Sequence, residues 1–265
     1  LLTEESVPDD ADLVVIYAPQ SDISETERDT LLAYLAGGGK MLMVLDYTEN
    51  EQPNLAAVAA QYGMTLEAGI VLEGDATRHM RGSNYYLLPE IDSHDITDPI
   101  RDGGYYILTP VARAMTVDAG LRSGLTVSAL LETSSDAYAK LDGYAMTTYD
   151  KEDGDIDGPF VLGAAASEEN ESGETAQLVV FTSARMFEQA TSSLVAGAND
   201  DLFLNALDWM CERASAISIR TKSLDTEYLT VPTASASLLS AVFIGVLPLS
   251  FIIVGAVITI TRRKR

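Results

Sequence analysis

The chain alternates apolar runs with amphipathic stretches over most of its length. "ADLVVIYAP" (residues 11–19) is a continuous β-branched run, which predicts a strand buried on both faces of a sheet. "SETERDTLLAYLAGGG" follows. Ser24 and Glu27 have capping-box spacing, Leu31, Leu32 and Leu35 form a helical stripe, and Gly37 stands where a helix commonly ends. "KMLMVLDY" (residues 40–47) predicts a second buried strand, residues 54–63 a second helix ended by Gly63, and "LEAGIVLE" (residues 66–73) a third strand. Strand–helix repetition of this kind implies right-handed crossovers and a mostly parallel sheet.

Residues 75–104 carry turn signals and both histidines, His79 and His94, and predict irregular structure. Strand-like patterns resume at 105–117 and 125–133. "TTYDKEDGDIDGPFVLGAAAS" (147–167) reads as strand, acidic turn and strand, and residues 176–187 as a buried strand running into a loop. Residues 199–213 predict an amphipathic helix with Phe203, Leu207, Met210 and Cys211 on one side. "SAISIRTKSLDTEYLTVP" reads as a short extended arm. The expected organisation is an α/β domain over residues 1–221, a juxtamembrane arm over 222–233, a membrane helix over 234–261 and a basic tail over 262–265.

The last element changes the picture most. No charged residue occurs from Tyr228 to Thr261, and the apolar core from Leu238 to Ile260 is 23 residues long. As a helix it reaches roughly 34 Å at about 1.5 Å per residue, enough for a hydrocarbon core of about 30 Å. Arg262, Arg263, Lys264 and Arg265 form a stop-transfer cluster, which the positive-inside rule puts in the cytoplasm. The large domain is then extracellular or periplasmic. All 40 acidic residues precede the helix with only 13 of the 17 basic ones, a formal charge of −27. Such a surface repels nucleic acid and anionic headgroups. Its 47% hydrophobic content and periodic runs argue against disorder. The chain opens "LLTEESVPDD" without a secretory pattern, so an upstream signal or first membrane helix is expected. One cysteine, Cys211, excludes an internal disulfide.

Few stretches carry recognisable chemistry. "AGGGK" lacks the first glycine and the Ser/Thr of a phosphate loop, with Tyr34 and Met41 in those places, and its glycines end a helix. "DGDIDG" matches the first half of a calcium loop through Asp153, Asp155 and Asp157. Ala164 stands where the loop needs a bidentate Glu, so a solvated acidic turn is the default. Cys211, late in a helix on its apolar side, is read as core, and no G-x-S-x-G occurs. The histidines lack a zinc pattern, and His94 in "DSHDIT" is read first as a loop organiser. A ligand crevice is expected at the strand carboxyl ends, near Pro19, Asp46 and Glu73. "RHMRGSNYYLLP" (78–89), with Arg78, Arg81, Tyr85 and Tyr86, is the basic-aromatic stretch that could meet an anionic or glycan ligand. Ser237, Ala241 and Gly245 recur every four residues on the membrane helix and form a candidate packing face, with Pro248 just beyond.

Taken in order, "ADLVVIYAPQSDISETERDTLLAYLAGGGKMLMVLD", "SHDIT", "LLETSSDAY", "GPFVLGAAAS", "LVVFTSARMF", "NDDLFLNALDWM", "ISIR" and the terminal helix with its Arg-rich stop carry a resemblance. The chain resembles the auxiliary component of gliding-motility-type ABC transporters, a family of uncharacterised ABC-type transport systems. The resemblance implies a flavodoxin-like fold related to class I glutamine amidotransferases, with a first membrane helix preceding it. It implies no catalytic residues, and no cysteine stands at a strand-to-helix turn to carry amidotransferase chemistry. The expected function is a non-enzymatic accessory subunit in the cell envelope of a bacterium, working with a separate ABC permease and ATPase and with no cofactor. The rivals are an envelope binding protein for a small solute or glycan, and an unrecognised hydrolase.

Overall fold

The computed structural model describes residues 6–8, 10–211 and 233–263. The juxtamembrane arm at 222–232 and the tail residues Lys264 and Arg265 lie outside them. The α/β class holds, with a mixed, mostly antiparallel arrangement of sheets.

Three strands are parallel. β1 (Val14–Tyr17), β2 (Lys40–Val44) and β13 (Thr175–Phe181) lie side by side in the order β1-β2-β13, with Val14 opposite Met41 and Leu178 opposite Met41 on the other side. The first crossover is α1 (Glu25–Ala36), whose capping box forms: the Ser24 hydroxyl accepts from the Glu27 N–H and the Glu27 carboxylate accepts from the Ser24 N–H. The left-handed residue that ends α1 is Gly38, at φ 90°, one place beyond Gly37. Leu31 and Leu35 bury the inner face of α1 against Met41, Met43 and Val180, a layer that also takes Leu55 and Val58 of α2 (Pro53–Gln61).

The mostly parallel, flavodoxin-like expectation is corrected after α2. β3 (Met64–Leu72) does not extend the parallel set. It pairs antiparallel with β8 (Arg113–Val117) and with β10 (Tyr138–Lys140), and β11 (Ile156–Asp157) completes a second sheet in the order β11-β10-β3-β8. In the first sheet β12 (Val161–Glu169) runs antiparallel between β13 and β9 (Leu125–Glu132), with β6 (Glu90–Ile91) at the edge. The physical reason is connection length. β12 and β13 are joined by residues 170–174, where the Asn170 carboxamide accepts from Ser172 and Glu174 N–H and Gly173 takes φ 82°. A turn this short permits only a hairpin, because a parallel return needs a dozen or more residues.

The segment expected to be irregular builds a small third sheet from β4 (His79–Met80), β5 (Ser83–Leu87) and β7 (Thr109–Pro110), plus the short helix α3 (Asp98–Asp102). After β13 come a 3-10 turn (Ala184–Phe187), α4 (Gln189–Leu194) and α5 (Ala198–Met210). α5 buries Asn199, Leu202, Ala206 and Met210, with Phe203 and Leu207 flanking, against Leu42, Val44 and Val179. The buried stripe is therefore shifted by one residue from the expected one, and Cys211 is half-buried at the helix end. β2 is buried on both faces, as its sequence predicts. β1 is not: it forms the sheet edge, and Val15 and Tyr17 are 46% and 50% exposed.

The terminal helix runs as α6 (Thr233–Ser240), a π-helical turn (Ala241–Val246) and α7 (Leu247–Arg263). The π turn ends two residues before Pro248, which has no N–H to give to the Ile244 carbonyl. Among the described residues this is the one helix long and apolar enough to cross a membrane. Its span Ala236–Ile253 has a mean hydropathy of 2.3, and none of it is buried.

Candidate functional site

A crevice of about 420 Å³ opens at the carboxyl ends of the three parallel strands. Each strand delivers a polar residue to it: Gln20 after β1, residues 46–50 after β2 and Arg185 after β13. Tyr144 arrives from the 3-10 turn Gly143–Ala145. Strand ends of this kind expose backbone and side chains that no ladder consumes, which is why ligand sites form there in open α/β sheets.

Asp46 stands at the centre with its side chain 15% exposed. Its Oδ1 accepts from the Tyr47 N–H at 3.1 Å, and Oδ2 lies 3.7 Å from Arg185 Nε, longer than a hydrogen bond. Arg185 gives its Nη2 hydrogen to the Tyr144 hydroxyl at 2.9 Å and sits 5.7 Å from the centroid of that ring. Tyr47 meets Tyr144 edge-to-face at 5.1 Å. Burial pushes the Asp46 carboxyl above the usual carboxylate range, with Arg185 opposing it. Burial likewise raises the phenols of Tyr144, Tyr47 and Tyr17, and the Glu188 and Asp46 carboxylates add to the effect on Tyr17. Asn199 fixes the wall that carries Arg185. It is fully buried, donates Nδ2 hydrogens to the Met186 and Leu108 carbonyls, and accepts from the Leu108 N–H.

Of the residues nominated from sequence, Asp46 lines this crevice and the others do not. Glu73 is 2% exposed, with its carboxylate accepting from the Ser134 hydroxyl and from the Ser134 and Asp75 N–H groups, so it ties two loops together. Arg78 pairs with Glu90 at 2.8 Å. Arg81 is exposed at the β4–β5 turn, without an ion pair to a described residue. Tyr85 lies between Tyr86 and Tyr149 with tilted rings, each at 5.3 Å, so the tyrosines pack on one another. His94 accepts from the Ile96 N–H through Nδ1 and meets Trp209 of α5 edge-on at 5.2 Å, the geometry of a loop organiser.

The acidic turn gathers a cation, and that cation belongs to the protein. Lys140 has no exposed surface. It pairs with Glu152, lies 3.3 Å from Asp155 and donates to the Asp150 carbonyl at 3.1 Å. Asp157 pairs with Lys151 instead, and Asp153 is exposed. Asp153, Asp155 and Asp157 therefore do not converge, and among the described residues no group of three or more His, Cys, Asp or Glu is placed to hold a metal.

Sequence reasoning missed Arg185, Tyr144 and Asn199. Arg185 was reachable, since it follows an apolar strand just as Asp46 does. Tyr144 comes from a segment between strands of the second sheet, and nothing local in its sequence points at the crevice.

No family model and no curated protein matches the chain. Among solved structures it is similar to the mmIFT52 N-terminal domain, at a TM-score of 0.51 and 14% identity, over 76% of this chain and 77% of that one. At that identity the likeness shows the α/β fold alone.

Proposed function

We propose that the chain is a non-enzymatic, membrane-anchored accessory subunit of an ABC transporter, with its α/β domain outside the cytoplasm and separate permease and ATPase subunits as partners. The observation that carries the anchoring is the terminal helix. Among the described residues nothing covers its apolar span, and a surface of that size left in water would drive association. The basic cluster at 262–265 supports a cytoplasmic C-terminus. The transporter assignment and a flavodoxin-like origin for the β1–β2–β13 segment rest on the resemblance in sequence.

The helix supplies the contact with the permease. Ser237, Ala241 and Gly245 are exposed, and a Cβ added at Gly245 would meet no heavy atom within 4 Å. The π turn winds more widely than the α-helix's 3.6 residues, so Ala241 and Gly245 stay closer to one line than in an uninterrupted α-helix. Small residues there let a second lipid-embedded helix approach. The crevice favours a second reading, an envelope protein that binds a small solute or glycan. Copurification from native membranes tests the first. Permease and ATPase subunits should accompany the chain, and Gly245→Ile should insert normally but recover several-fold less of both. Equal recovery from Gly245→Ile, or a chain extracted intact without ABC components, would overturn it.

A further inference from the structure

The crevice sets one guanidinium, Arg185, against two carboxylates, Asp46 and Glu49. In a chain whose part before the membrane helix carries a charge of −27, that surplus repels anions. A cationic ligand is no better placed, because it would share the crevice with the Arg185 guanidinium, which repels it. A purely apolar ligand would bury the Asp46 carboxylate and the Arg185 guanidinium without adding a hydrogen bond to either.

The remaining class has many hydroxyls, no charge and an apolar ring face. We propose that this crevice binds a neutral sugar ring, with hydroxyls placed between Asp46 and Arg185 and a ring face against the exposed tyrosine of the rim. The gap of 3.7 Å between Asp46 Oδ2 and Arg185 Nε leaves the two short of a direct hydrogen bond. A hydroxyl both donates and accepts, so one hydroxyl can satisfy the carboxylate and the guanidinium together. Tyr144, 50% exposed and braced edge-on by Tyr47, offers a fixed aromatic surface. The buried Asn199 locks the turn that carries Arg185, so the wall is formed before any ligand arrives.

The inference does not depend on the transporter assignment, since binding is read on the purified full chain and the assignment on copurification. Saturation-transfer NMR on the full chain in detergent uses the methyl α-glycosides of glucose, mannose and galactose. At least one should receive saturation, and neither phosphate nor tetramethylammonium should displace it. Arg185→Met and Tyr144→Ala remove half-exposed side chains and should each weaken binding at least tenfold, while Arg81→Gln leaves it unchanged. Absence of transfer to all three glycosides, displacement by either ion, or binding that survives both crevice variants overturns the proposal. Loss in Arg81→Gln would move the site elsewhere and overturn it equally.

Discussion

His94 joins chemistry to packing in one ring. Its Nδ1 accepts from the Ile96 N–H, so the neutral imidazole is the form the loop needs, and Trp209 covers the ring edge-on. Burial depresses its pKa from 6.5, against the pull of Asp95 and Asp98. A group depressed in the folded state stabilises above its unfolded pKa, and that stability is lost as pH falls through the folded value. Other groups titrate in the same range, so the difference between parent and variant is the quantity to measure. Between about pH 7.5 and pH 5 the parent should lose more stability in denaturant than His94→Gln, and identical losses would show that the ring is not held neutral. This role was legible in "DSHDIT", where a lone histidine among turn residues signals local hydrogen bonding. Its partner Trp209 lies far along the chain on α5, and no local pattern names it.

At the scale of elements, periodicity located strands and helices well, and connection lengths decided how they pair. β2 reads as buried on both faces and is so; β1 reads the same way but forms an edge, because apolar content does not tell a strand its neighbours. The antiparallel β12–β13 hairpin turns on residues 170–173, "NESG", where Asn170 and Gly173 supply the turn chemistry. The crevice depends on one such junction, where the first turn of α5 holds the turn after β13. Asn199→Ala strips buried partners from the Leu108 N–H and carbonyl and from the Met186 carbonyl. It should cost about 1–3 kcal/mol, measured as a lower denaturant midpoint at unchanged slope. An unchanged midpoint would mean that the turn stands without α5.

At the scale of the whole molecule, a strongly acidic α/β domain precedes an apolar helix whose span no other described residue buries. The helix was the most legible part of the sequence, since length and the absence of charge are one-dimensional properties. The crevice was the least legible, because Gln20, Asp46, Tyr144 and Arg185 meet only once the sheet has formed. The account rests on the helix spanning the membrane with the domain outside, and cysteine accessibility tests that most directly. In a Cys211→Ser background, Asp153→Cys on the acidic turn should react with an impermeant maleimide in intact spheroplasts, and Arg265→Cys only after lysis. The reverse labelling, or a chain recovered in the soluble fraction, would contradict the account.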